Sequence, residues 1–412
     1  MKSQATQLIH VNFLHYGEKT PLGRLLLHDG EILFEYEAAF LKKNLPISPF
    51  HLPLKSGVQK GKVDLFEGLP GVFNDSLPDG WGKLLLDRAL LAKGIPPQQL
   101  SPLDRLAYVG KWGMGALSFE PELGEKAEAE VLDLDKLAHE SAVILQGNVS
   151  EILHQLVTMG ASSAGARPKV VVGFHPTQHI IISGQQQLPV GYEHWLIKFP
   201  SSHDLPDIGL IEMAYAQMAK TAGIDVKATQ LLQGNSGQNY FATQRFDRLE
   251  NKRVHIHSAS GLLSADHRYP SLDYETLMRA TLGLCNDMHE VEKVFRLAVF
   301  NVFAHNRDDH SKNFSFIMDA HGKWSFAPAY DLTFSYGPGG EHSTMVLGEG
   351  RNPNSIQLLK LAEKFQITKA RQIIEEVKEA VSQWEKIAQS LNMGNESLKT
   401  IKKQIDQQLK RQ

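Results

Sequence analysis

An α+β fold with a strand-rich first part and a helical second part is what the order of signals along this 412-residue chain predicts. Three observations carry that expectation. Short apolar runs bounded by turn-forming residues recur up to about residue 247, the mark of strands. After about residue 270 the apolar residues fall mostly at helical spacing. A polar loop of acids and amides, residues 306–313, lies inside that helical part.

Residues 8 to about 40 read as strands. Leu25-Leu26-Leu27 and Ile32-Leu33-Phe34 flank His28-Asp29-Gly30-Glu31, whose Asp-Gly pair is a hairpin signal. The stretch around Pro46, Pro49 and Pro53 is loop. Trp81 to Lys93 has helical spacing and stops before Gly94 and Pro96. Gly110 to Leu117 reads as a tight turn entering a strand. Residues 122–150, charged and Ala-rich, predict a connecting helix or linker. Strand runs follow at Lys169-Val170-Val171-Val172, Ile180-Ile181-Ile182 and 194–199. One helix interrupts this block, Ile208 to Ala222, with Gly223 as its C-terminal cap. Two amphipathic helices, roughly 368–391 and 395–411, close the chain. No internal repeat is visible. The expected domains are 1–125 (β-rich), 126–250 (β-rich lobe with one helix) and 251–412 (helical).

Composition is that of an ordinary globular chain, with 42% hydrophobic and 22% charged residues. A formal net charge of −3 gives no electrostatic reason for binding free nucleic acid. Cys285 is the only cysteine, so there is no intrachain disulfide and no cysteine zinc cluster, which fits a reducing, cytoplasmic setting. The first residues have no apolar core of a secretory signal, and no run approaches the roughly 18 to 20 apolar residues of a membrane helix.

The loop Asn306-Arg307-Asp308-Asp309-His310-Ser311-Lys312-Asn313, with Tyr330-Asp331-Leu332 after it, carries the most chemistry. An acid, an asparagine five positions later and a second acid beyond a strand are how protein-kinase-type phosphotransferases are built. The first acid takes the proton of the attacking hydroxyl, and the amide and second acid hold Mg²⁺. Spacing alone leaves Asp308 and Asp309 both open as the base, and a polar capping loop is the bland alternative. Gly160 to Pro168 is a small-residue loop running into the Lys169 strand, which lets backbone N–H groups approach phosphate oxygens. It is no Walker A loop, because Ala166 stands where that motif has lysine. Lys198 ends a strand of the Val-Ala-Ile-Lys kind, and Glu212 on the next helix is a candidate to orient it. Residues 240–248 are placed to form a hinge, although Arg245, Asp247 and Arg248 serve equally well as salt-bridge partners. Histidines beside acids (His305, His310, Asp308, Asp309) offer a hydrolytic metal site instead, but His255, His257, His267, His321 and His342 are scattered and form no ligand cluster in sequence. Strand-rich lobe, helical lobe and loop position together predict a bilobal, protein-kinase-like fold.

These segments resemble the HipA family of serine/threonine kinases, toxins of bacterial HipA/HipB toxin–antitoxin modules. Gly113 to Phe119 resembles the family's N-terminal signature, Ser162 to Lys169 its phosphate loop and Gln244 to Arg248 its E-R-F-D-R hinge. Residues 306–315 resemble its N-x-D-x-H-x-K-N-F-S catalytic loop, and Ala327 to Leu332 its metal-binding segment. The resemblance implies Asp308 as the catalytic base. It implies ATP contacts from Ala164, Gly165, Ala166, Arg167 and Pro168 of the loop, from Lys169 and Lys198, and from Gln244, Arg245 and Phe246 of the hinge. His310, Lys312, Asn313 and Asp331 complete that implied ATP set, with Asn313 and Asp331 as the Mg²⁺ ligands. Ser162 or its neighbour Ser163 is implied as a self-phosphorylated residue. Gln244 departs from the glutamate common in the family. The implied partners are a small HipB-like helix-turn-helix antitoxin, operator DNA reached only through it, and a protein substrate such as an aminoacyl-tRNA synthetase. A small-molecule kinase and a non-catalytic partner of the antitoxin are the alternative readings.

Overall fold

The structure, a computed structural model, describes residues 6–124, 130–148, 150–160, 165–184, 187–202 and 204–411. Contacts divide the chain into two compact units. The first holds residues 1–203, 232–257 and 317–322, and the second holds 204–231, 258–316 and 323–412.

Among the described residues, the first unit is built mainly on two larger sheets, with a small antiparallel pair, Arg248–Leu249 and Lys252–Arg253, besides. One larger sheet has the strand order Gln59–Lys60, Glu31–Tyr36, Glu18–His28, Leu8–His15, Leu117–Glu120. Its hairpin turns at Asp29-Gly30 as the sequence predicts, with both residues at positive φ (50° and 80°). In the other sheet Ile180–Ser183, Lys169–His175, Glu193–Lys198 and Asn239–Gln244 lie side by side. Val170, Val172 and Phe174 are fully buried and Val171 nearly so, which explains a continuous rather than alternating apolar run. Helix Gly80–Ala92 adds Trp81 and Leu85 to the core beneath this sheet.

The second unit is mostly helical. Helix Met288–Phe303 is its axis, with Val294, Phe295, Ala298, Val299, Phe300 and Phe303 all sealed from solvent. Asp287 caps its start by accepting from His289 N at 2.9 Å. Helix Ile208–Thr221 ends as expected at Gly223, whose φ of +73° lets Ile224 N reach back to Ala219 O at 3.0 Å. The expectation of an all-helical second lobe is amended by short strands, among them Leu272–Asp273 paired in parallel with Thr344–Met345. The single helix expected over 368–391 is two, Ala370–Ser382 and Trp384–Ser390. The chain bends at Gln383 and buries Trp384 against Tyr215, with ring centroids 5.8 Å apart. Among the described residues no helix is long and apolar enough to cross a membrane.

Three imidazoles are held neutral by their surroundings. Burial, reinforced by Arg245 and Arg248, pulls His194 down to about 3. Burial takes His255 to about 3 and, with Arg307 nearby, His305 to about 4. Unfolded, each titrates near about 6.5, so the unfolded chain takes up protons that the native one refuses. Stability is therefore expected to fall as pH drops below about 6.5, by roughly 1.4 kcal/mol per pH unit for each histidine. Calorimetric Tm values at pH 7 and pH 5 check this, and equal values contradict it.

Candidate active site

In the second unit, helix Met288–Phe303 delivers the acid loop. The chain leaves the helix through His305, at φ +56°, a left-handed conformation costly for a residue with a Cβ. Its ring stacks on Phe334 at 5.3 Å, and its Nδ1 lies 3.1 Å from Ser335 O. Beyond it the two adjacent acids part company. Asp308 is exposed, whereas Asp309 is 1% exposed. Asp309 Oδ2 accepts from Tyr274 Oη at 2.8 Å and from His342 Nδ1 at 3.0 Å, and Oδ1 accepts from Thr344 N at 3.1 Å. A carboxylate with this many donors on it is structural. Asp308 is the one of the two that faces solvent.

Asn313 sits on a single 3₁₀ turn, Ser311–Asn313. Its Nδ2 donates to Asp308 O at 2.7 Å, which turns the amide oxygen away as the end suited to a hard cation. Asp331 is half-buried and, like His305, left-handed at φ +56°. The segment before it is pinned by Ala329 N donating to Asp225 O at 2.8 Å. Tyr330 Oη donates to Lys312 O at 2.6 Å, tying the acid segment to the loop. An amide oxygen and a carboxylate are the donor set Mg²⁺ accepts, so the residues fit that ion. His310 is half-buried and its ring lies 5.7 Å from that of His267.

In the first unit, Lys169 and Lys198 face each other across neighbouring strands and are 4% and 8% exposed. Like charges directly opposite destabilise a sheet, so this pairing needs negative charge to offset it. Lys198 Nζ also lies 5.7 Å from the Phe241 ring. Gly165 adopts φ +97°, and a Cβ there would come within 2.3 Å of Lys169 Nζ. Pro168 O accepts from Phe199 N at 2.9 Å, Ala166 is exposed and Arg167 is half-buried. Ser162, Ser163 and Ala164 lie outside the described residues. Glu212, in the second unit, is 2% exposed.

The hinge segment is chiefly a salt-bridge knot. Asp247 is fully buried, accepts from Arg245 Nε and Nη2 at 2.9 and 2.7 Å and from Arg248 Nη1 at 2.6 Å, and also takes Gly115 N at 2.8 Å. Arg253 donates to the carbonyls of Lys111, Gly113, Gly115 and Leu117 at 2.6 to 3.0 Å. The Gly-rich turn after Gly110 is thus held by four charged side chains. Gln244 Nε2 donates to Glu193 Oε2 at 3.1 Å, and Phe246 is half-buried.

Three further residues imitate a hydrolytic relay. Ser48 Oγ lies 2.9 Å from His257 Nε2, and His257 Nδ1 lies 2.6 Å from Asp75 Oδ2. Ser48 and His257 are 1% and 0% exposed, so no substrate reaches that hydroxyl and the chain of contacts ties two loop residues to strand His255–Ser258. Among the described residues no three His, Cys, Asp or Glu side chains converge as a metal cluster.

The helix start that holds the small-residue loop at Gly165 was barely legible in the sequence. Gly165 N donates to Asp79 Oδ1, and Gly165 O accepts from Trp81 N at 2.9 Å. Trp81 Nε1 donates to Lys169 O at 3.0 Å. Gly80 allows the approach, since a Cβ there would sit 2.6 Å from Gly165 O. The one signal was Asp79-Gly80 heading a helix. Tyr274, His342 and Thr344 carried none.

Family models for the HipA N-terminal domain and the HipA-like C-terminal domain match residues 15–120 and 161–384. The chain belongs to the HipA family. A Haemophilus influenzae protein named "Putative kinase" is 26% identical to this HipA-family chain over 176 residues, 39% of this chain and 51% of the relative, so that match spans about half of the relative's length. "Putative kinase Y4mE" of Sinorhizobium fredii is 28% identical over 330 residues, 74% of this chain and 72% of that one. A chain from the HipA, HipB and operator DNA complex of a Shewanella oneidensis MR-1 toxin–antitoxin system superposes with a TM-score of 0.70 at 15% identity, covering 97% of this chain and 96% of that chain. This HipA-family chain shares that fold.

Proposed function

We propose that this HipA-family chain is a Mg-ATP-dependent protein serine/threonine kinase acting as the toxin of a toxin–antitoxin pair. One observation carries the reading: of two adjacent acids, the loop buries Asp309 and presents Asp308, while Asn313 is bonded to Asp308's own carbonyl. Asp308 takes the proton of the acceptor hydroxyl as that oxygen forms its bond to the γ-phosphorus of ATP and the bond from that phosphorus to the bridging oxygen breaks, with ADP as the leaving group. Asn313 and Asp331 hold Mg²⁺, which supplies positive charge against the phosphate oxygens. Lys169 and Lys198 add fixed positive charge, and the backbone N–H groups of Ala166 and Arg167 are the ones the loop can offer to phosphate. Gln244, Arg245 and Phe246 contribute the hinge edge, and His310 and Lys312 flank the loop. Self-modification falls on Ser162 or Ser163. A HipB-like antitoxin is the partner, by analogy with the Shewanella complex, and carries the pair to operator DNA. The substrate class is a translation component such as an aminoacyl-tRNA synthetase, and the setting is cytoplasmic.

The test is phosphate incorporation from labelled Mg-ATP, followed by phosphoproteomics of cells expressing wild type or Asp308→Asn. Phosphosites present only with wild type support the reading, and identical phosphoproteomes overturn it. A binding measurement examines the metal assignment. Asp331→Ala is expected to weaken Mg-ATP more than Asn313→Ala, because a carboxylate brings charge as well as a ligand. Calorimetry showing both variants at wild-type affinity would remove Mg²⁺ from this pair.

A further inference from the structure

The backbone around Asp308 is held at three successive carbonyls. Arg307 O accepts from Ser343 N and Oγ, each at 3.2 Å. Asp308 O accepts from Asn313 Nδ2 at 2.7 Å. Asp309 O accepts from Thr344 Oγ1 at 2.5 Å. Beneath this runs a directional chain of side-chain bonds. Asn306 Nδ2 donates to Asn301 Oδ1 at 2.9 Å, Asn301 Nδ2 to Tyr274 Oη at 2.9 Å, and Tyr274 Oη to Asp309 Oδ2 at 2.8 Å. His342 Nδ1 approaches the same oxygen, and facing an acceptor-only carboxylate it must be the donor. Every donor in the chain points toward Asp309, so the bonds polarise one another and converge on one buried carboxylate.

We infer that Asp309, Tyr274, His342 and Thr344 are positioning residues that fix the acid loop and aim Asp308 outward. Asp309 is buried while its neighbour Asp308 is exposed, so anchoring Asp309 inward fixes the backbone from which Asp308 projects. The inward anchor comes from two separate stretches of chain: the first residue of helix Tyr274–Cys285, and the segment that carries His342 and opens strand Thr344–Met345. The kinetic part of this inference rests on the kinase reading above, and the structural part does not.

The test uses full-length Asp309→Asn, Thr344→Val and Thr344→Ser. The asparagine keeps the shape of Asp309 but turns a donor toward donors. Valine keeps the shape of Thr344 without its hydroxyl, and serine keeps the hydroxyl. Hydrogen–deuterium exchange of residues 305–310 is expected to rise in Asp309→Asn and Thr344→Val and to stay at the wild-type level in Thr344→Ser. In the same proteins kcat is expected to fall roughly 10²-fold, the effect of an ångström-scale misplacement, with KM for Mg-ATP unchanged and serine again at wild type. A purely structural tie would lower Tm and leave kcat of the folded protein intact. Unchanged exchange, or raised exchange with wild-type kcat, overturns the inference. If wild type itself shows no turnover, the kinase reading fails and exchange alone decides whether these residues fix the loop.

Discussion

Asp308→Asn is expected to reduce phosphoryl transfer on the order of 10²- to 10⁴-fold, the usual cost of losing a general base. The amide fills the same volume but cannot take the acceptor's proton. The fold should be untouched, because the side chain is exposed and the bond from Asn313 goes to the backbone carbonyl. Circular dichroism and Tm at wild-type values, with single-turnover rates at least a hundredfold lower, are the expected result. Near-wild-type turnover in the variant would remove Asp308 from its role.

Asp247→Ala is expected to cost about 3 to 5 kcal/mol of stability, the range for breaking a buried ion pair by deleting one partner. Burial alone would raise the Asp247 carboxyl, but Arg245 and Arg248 outweigh it and hold the group far below the usual carboxylate range. Alanine leaves both guanidinium groups, 5% and 4% exposed, without that carboxylate. Against a typical domain stability of about 5 to 15 kcal/mol this is a large share. The sign with pH follows from a carboxyl lowered by folding: its contribution is present above about pH 4 and is lost as acid protonates it below that value. Urea unfolding of wild type and variant measures the loss, and midpoints that coincide would show the knot to be energetically idle.

What could be read from the sequence was whatever local chemistry specifies. Asp29-Gly30 demanded positive φ at two successive positions and the hairpin turns there. Gly223 ended its helix for the same reason. The strand runs at 169–172 and 180–182 sit next to each other in one sheet. The acid loop's register was legible only in part, because two adjacent acids satisfy the spacing almost equally. Burial separates them, and burial depends on Tyr274, His342 and Thr344, which lie some 30 residues away on either side. The short strands of the second unit were illegible, since two residues cannot display a period. The break at Gln383 was hidden because Trp384 is as consistent with one long helix as with two.

The contact between Asp79-Gly80-Trp81 and Gly165 has a bearing on where this chain can be joined to another. Recombination tolerates a junction when the pieces on either side make few demands on each other. Here a loop proposed to cradle phosphate leans on a helix start that lies more than eighty residues earlier in the chain, through backbone atoms that leave no space for a larger residue at Gly80. A crossover placed between them inherits two halves of one fitting. A chimaera that takes its amino-terminal segment from another chain must therefore bring an equivalent acid, glycine and tryptophan with it, or lose the loop's geometry along with the swapped piece.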